Sequence, residues 1–276
     1  MNDAPFNRDS NEPAGSTAHA NESGASVAQK THPTPIPWSG LDVMAIVGLV
    51  IAANIITFII LGQVMAIGTL LAPETDPDSI FSSLMGTTLL LFIQWVATLG
   101  VTVLFLTIKG YRLSAGILGF RKTRLGKAIL WFLLVMFLFF FVNETLYAWI
   151  IEMLDPSLLP EQDISQEYGR DIVGYLAAVT QVALLVPVLE ELFFRGIIHQ
   201  GLEKRFGFIR GALLSSAIFA LAHVDPAVYF PIFVLGFGFA LLLHKTRSLW
   251  PSTAGHFLVN IIAVSGQFYL DGSSAF

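Results

Sequence analysis

Residues 43–73 read VMAIVGLVIAANIITFIILGQVMAIGTLLAP, with no Asp, Glu, Lys or Arg between Asp42 and Glu74. About 20 apolar residues cross a bilayer as a helix, so this run can cross with tilt or an interfacial extension to spare. It is far too long for the core of a secretory signal. A second charge-free run lies between Asp78 and Lys109, and a third covers about 128–151, interrupted only by Asn143 and Glu144. Further apolar runs begin after Asp171, after Arg210, near Val228 and near Leu249, the last ending before Asp271. The expectation is an all-α, polytopic transmembrane helical bundle of about seven spans, or eight if the first long run is split.

Composition agrees. Hydrophobic residues make up 54% of the 276-residue chain and charged residues 13%, against roughly 25% charged in soluble domains. That much apolar surface exceeds what one soluble core absorbs. The net charge of −5 supplies no basic face for nucleic acid. The absence of Cys excludes disulfides, thiol catalysis and Cys-ligated metals.

Residues 1–37 are polar and rich in Ala, Ser, Asn and Pro, which reads as a disordered tail. Residues 38–171 hold the first three spans and their loops, and 172–270 hold the remaining four. Most of the cations lie in three loops: Lys109, Arg112, Arg121, Lys122, Arg124 and Lys127; Arg195, Lys204, Arg205 and Arg210; Lys245 and Arg247. The alternate loops are acidic. The positive-inside rule therefore puts the tail in the cytoplasm and the C-terminus outside, in a multi-pass protein of the cell (inner or plasma) membrane. Gly211 with Ser215, and Gly236 with Ala240, are small pairs at i, i+4 that permit close approach of spans.

Ionisable residues within spans are functional candidates by default. The densest set is in VPVLEELFFRGIIHQGLEKRF, where Glu191, Arg195 and His199 fall at i, i+4, i+8 on one helical stripe. Glu190 points about 100° away from Glu191, so the two carboxylates have different neighbours. Glu191 is expected to pair with Arg195 while Glu190 faces another helix, with Pro187 kinking the span just upstream. A solvated helix end also accounts for this cluster taken alone.

Two other helices shift the balance. Phe219 and His223 lie one turn apart in FALAH, and His256 and Asn260 share a face in HFLVN. Counted from Lys204, Arg210 and Arg247 respectively, Glu190, His223 and Asn260 each reach a depth of about 20 Å and His256 about 14 Å. Polar groups on three helices thus meet at similar depth. Glu144 reads as interfacial near the outer surface or as a second polar contact inside the bundle, and His199 and His244 read as interfacial.

Such a group suits hydrolysis. A desolvated Glu can take a proton from water, a His can hold that water, and a second His with an Asn amide can donate to an oxyanion. Glu190, His223 and His256 also match a His₂Glu zinc set, although no HExxH is present.

The motifs Glu190-Glu191-Leu-Phe-Phe-Arg195, Phe219-Ala-Leu-Ala-His223 and His256-Phe-Leu-Val-Asn260 resemble the pattern of the CPBP family, the CAAX proteases and bacteriocin-processing (Abi) intramembrane proteases. The resemblance covers about 172–265. It implies a helical bundle around a polar cavity open to the cytoplasm and an endopeptidase acting on a membrane-associated protein or peptide. It further implies Glu190 as base, His223 as its water-positioning partner, His256 and Asn260 at the oxyanion, and Glu191 with Arg195 in support. The family is called a metalloprotease, so zinc is possible. Water activated by Glu without metal is slightly favoured, because Arg195 adds positive charge nearby and Asn260 suits an oxyanion better than zinc. A non-catalytic immunity or scaffold protein binding a peptide in the same cavity is the alternative, and a proton-coupled transporter is a third.

Overall fold

The computed structural model describes residues 36–71, 83–154, 164–223 and 225–270. The expected tail therefore lies outside the described residues except for Ile36 and Pro37. Seven helices occupy the seven apolar runs: α1 (Gly40–Leu71), α2 (Leu84–Ile108), α3 (Leu125–Tyr147), α4 (Ile172–Phe206), α5 (Phe208–Leu221), α6 (Tyr229–Thr246) and α7 (Trp250–Leu270). The first long run is one helix, so the eight-span variant is not adopted. Five of the seven, α1 to α4 and α6, are long and apolar enough to cross a membrane. Their apolar side chains face outward: Phe58 is 72% exposed, Leu70 82% and Phe137 66%. In lipid those surfaces need no further cover, because helices satisfy their own backbone groups.

The chain is anchored at one end by polar contacts around the start of α1. Ser39 and Asp42 cap each other, the Ser39 amide donating to Asp42 Oδ2 at 2.8 Å and the Asp42 amide to Ser39 Oγ at 3.2 Å. Asp42 also accepts from Tyr111 at 3.0 Å and pairs with Lys109 at 3.3 Å, tying α1 to the end of α2. Trp38 is completely buried and donates from Nε1 to the Ile197 carbonyl of α4 at 2.9 Å. Gly201 makes room for it, since a Cβ there would lie 2.4 Å from Val43 and 3.0 Å from the Trp38 ring.

Three apolar clusters surround the centre. Trp38, Ile46, Leu106, Phe194, Ile198 and Phe219 join α1, α2, α4 and α5. Val135, Met136, Phe139, Leu235, Phe239 and Leu242 join α3 to α6. Tyr168, Ala178, Val264 and Phe268 join the short helix Ile164–Tyr168, the start of α4 and the end of α7.

Two backbone features were not foreseen. First, α5 has only 14 residues, about 21 Å at 1.5 Å each, short of the roughly 30 Å hydrocarbon thickness. Its last turn ends inside the bundle and releases His223. Second, α3 and α4 contain π-helical turns at Val142–Tyr147, Val179–Leu185 and Glu191–His199. In α4 the two π stretches flank Val186–Glu190, which contains Pro187; within the continuous span this residue removes one donor from the helical ladder. Such turns are rare and concentrate at functional sites.

Gly211 packs against the end of α4, where an added Cβ would lie 2.6 Å from the Glu203 backbone nitrogen and 2.7 Å from its Cα. A backbone neighbour cannot swing aside as a side chain would. Gly211→Ala should therefore lower stability by about 1–3 kcal/mol, whereas Gly100→Ala, with open space around it, should not. Thermal melts of the two purified variants in detergent check this, and equal shifts would refute the packing argument.

Candidate active site

Glu191 and Arg195 form the predicted ion pair, Nη1 to Oε1 at 3.2 Å, with both side chains essentially inaccessible at 0% and 2%. Arg195 also lies over the Phe219 ring at 4.1 Å and near the Phe239 ring at 5.3 Å. These cation–π contacts replace part of the hydration that burial removes. None of the Glu191 carboxylate oxygens or Arg195 terminal nitrogens has a well-aligned hydrogen bond among the described residues, so the pair is held mainly by Coulomb attraction at short range.

Glu190 points elsewhere, as its 100° offset requires. Its Oε2 lies 3.3 Å from His256 Nε2 on α7, and His256 Nδ1 lies 3.4 Å from Glu191 Oε1. One imidazole thus bridges the two adjacent carboxylates. The sequence reading had placed His256 at an oxyanion and had not paired it with either Glu. The i, i+1 pair on α4 meets a ring whose two nitrogens lie on opposite edges, and that geometry is invisible without the relative position of α7.

His223 donates from Nδ1 to the Phe219 carbonyl at 3.0 Å. A carbonyl only accepts, so Nδ1 carries the proton and a neutral ring leaves the lone pair on Nε2. Asn260 donates from Nδ2 to the Val182 carbonyl at 2.9 Å, within the second π stretch. Its second amide hydrogen is not used by that contact.

Glu190, His223, His256 and Asn260 all line one cavity of about 560 Å³, whose wall includes Phe139, Val182, Phe219 and Leu235. His223 shares the cavity with Glu190 but has no bond to it among the described residues. Asn143, Glu144 and Tyr147 of α3 line the same cavity. Glu144 is therefore exposed on a cavity wall, a position the sequence reading allowed only as its second choice.

His199 is a correction. It is completely buried rather than interfacial, with Nε2 3.2 Å from Glu203 and Nδ1 3.3 Å from Ser215 Oγ. His244 Nδ1 meets the other Glu203 oxygen at 2.6 Å and stays about a quarter exposed. The i, i+4 stripe of α4 continues from His199 to Glu203, and that repeat was the available signal for this separate His–Glu–His link between α4 and α6.

Among the described residues no three His, Asp or Glu side chains converge as a metal-ligand set. Of the His₂Glu set, His223 donates from one nitrogen to a carbonyl and His256 has a carboxylate at each nitrogen, contacts of the kind that a metal-bound His keeps on its non-ligating nitrogen.

Comparison with known proteins adds to the geometry. Residues 172–262 match the family described as "Type II CAAX prenyl endopeptidase Rce1-like". The match falls on the region whose motifs resemble the CPBP family of intramembrane proteases. The Bacillus subtilis (strain 168) protein named "Putative membrane peptidase YdiL" is 29% identical over 177 residues, 63% of this chain and 70% of its own length. No solved structure matches. The matched family region begins and ends with α4 and α7, the helices that carry the two Glu, His256 and Asn260.

The buried pair predicts an asymmetry between the two carboxylates. Glu191→Ala leaves the Arg195 charge buried without its nearest counter-ion, which typically costs about 3–5 kcal/mol. Glu190 faces the cavity, so Glu190→Ala should cost less. Detergent melting curves of the two variants test this, and a less stable Glu190→Ala would reverse the roles.

Proposed function

We propose that the protein is an intramembrane endopeptidase whose water nucleophile is activated by Glu190. The observation that carries this reading is the convergence of Glu190, His223, His256 and Asn260, from separate helices, on one cavity of about 560 Å³. The match of residues 172–262 to a prenyl endopeptidase family model supports it.

In this mechanism His256, held between Glu190 and Glu191, fixes the orientation of the Glu190 carboxylate. A water molecule in the cavity is held by the free Nε2 of His223 and gives a proton to Glu190 as its oxygen adds to the scissile carbonyl. The unused Asn260 amide hydrogen donates to the developing oxyanion. Glu190 then passes its proton to the leaving nitrogen as the C–N bond breaks, giving a carboxylic acid, which keeps the second proton of the water, and a free amine. Arg195 and Glu191 stand behind His256 and hold its position. The cation-bearing ends of α2, α3, α4 and α6 face the cytoplasm in this reading, with the N-terminal tail on the same side.

Glu190→Gln keeps volume and hydrogen bonding but removes the basic oxygen. It should lower kcat on membrane peptides by about 10²-fold or more while the protein stays folded in detergent. Wild-type turnover by this variant would overturn the assignment of the base. In this reading Glu190 activates water without a metal, so chelators should leave the rate unchanged. Loss of activity on chelation with recovery on adding zinc would instead establish a metal-dependent enzyme.

A further inference from the structure

The cavity has a second polar wall that the proposed hydrolysis does not use. Asn143 and Glu144 sit in the π-helical turn Val142–Tyr147 of α3 and line the same cavity as Glu190. Glu144 forms no ion pair or hydrogen bond among the described residues, and the Asn143 Oδ1 atom is buried with no hydrogen-bond partner among them. A buried acceptor without a donor costs about 1–3 kcal/mol, which a native structure tolerates where a ligand supplies the donor.

The charge of the cavity is one-sided. Among the described residues its lining includes two carboxylates, Glu144 and Glu190, and no Lys or Arg. Arg195 is sealed behind the wall and committed to Glu191. In a low-dielectric surround, an unpaired carboxylate is a strong site for a cation.

Resting on the protease reading above, we propose that Glu144 and Asn143 form a substrate-recognition subsite for a cationic group of the peptide. Glu144 pairs with the ammonium or guanidinium of a Lys or Arg near the scissile bond, or with a free N-terminal ammonium. The Asn143 side chain, whose Oδ1 is closed off in this structure, turns to accept a hydrogen bond from a peptide N–H beside it. The substrate is then a basic peptide segment entering the bundle, with the cation at α3 and the scissile carbonyl at Glu190.

Binding by a catalytically silent protein separates this subsite from the chemistry. Fluorescent membrane peptides that carry Lys, Gln or Glu at one scanned position, each with a free and an acetylated N-terminus, are titrated onto Glu190→Gln protein in detergent. At some position the Lys peptide should bind about tenfold more tightly than the Gln peptide. That preference should vanish in Glu190→Gln/Glu144→Gln and turn towards the Glu peptide in Glu190→Gln/Glu144→Lys. If acetylation rather than the scanned side chain removes the preference, the cation is the N-terminal ammonium, and the subsite still stands. Rising ionic strength should weaken the Lys peptide selectively, a readout that needs no Glu144 variant. Equal affinity for all three peptides and both termini, or a preference for Lys that survives loss of Glu144, overturns the subsite while leaving the test of Glu190 untouched. Conversely, turnover by Glu190→Gln overturns the base and leaves this binding result intact.

Discussion

Burying an arginine inside a membrane bundle is the constraint around which the C-terminal half is built. Arg195 cannot shed its charge, so the fold must surround it with groups that replace water. Glu191 supplies the counter-charge from one turn away at 3.2 Å, and Phe219 and Phe239 supply π faces from α5 and α6. His256 then closes the arrangement from α7, touching both Glu191 and Glu190. Four helices are thereby fixed around one guanidinium. Removing any wall would leave charge in hydrocarbon, which makes the placement of Glu190 a consequence of stabilising Arg195 rather than an independent feature.

The cavity depends on irregular backbone held inside that frame. Helix α5 stops after 14 residues, and His223, two residues on, lines the cavity. Each π turn widens the helix by one residue and frees carbonyls from the usual ladder. One such stretch contains Val182, whose carbonyl receives Asn260. Irregular backbone at membrane depth is tolerated where it is buried in protein or lines a cavity, and all three π stretches contribute or adjoin residues on the cavity wall.

The spans were legible in the sequence because the membrane reduces the problem to runs without charge, as between Asp42 and Glu74. The Glu191–Arg195 pair was legible because it lies within one helix at i, i+4. What depends on the relative position of helices was not. His256 was expected at an oxyanion, and its place between two carboxylates follows from the depth and rotation of α7 against α4. His199 was expected at the interface because the charges after it suggested a helix end, yet Phe208 and Ser215 cover it as α5 folds back along α4. Glu144 was ambiguous because an interruption near the end of an apolar run fits either a membrane boundary or a cavity wall.

The bridging role of His256 also constrains how the site handles protons. Glu190 and Glu191 are adjacent in sequence and share one imidazole, and Arg195 balances only one of their charges. A proton added anywhere in this set changes the field at every other member. In the proposed hydrolysis, a proton taken from water by Glu190 would weaken the His256 Nε2 contact by neutralising that carboxylate, while the Nδ1 contact with Glu191 persists. The bridging ring would stay anchored on the buried pair while its other edge is released. On the proposed mechanism, that asymmetry would let the carboxylate turn towards the leaving nitrogen without disturbing the charge network that holds the four helices together.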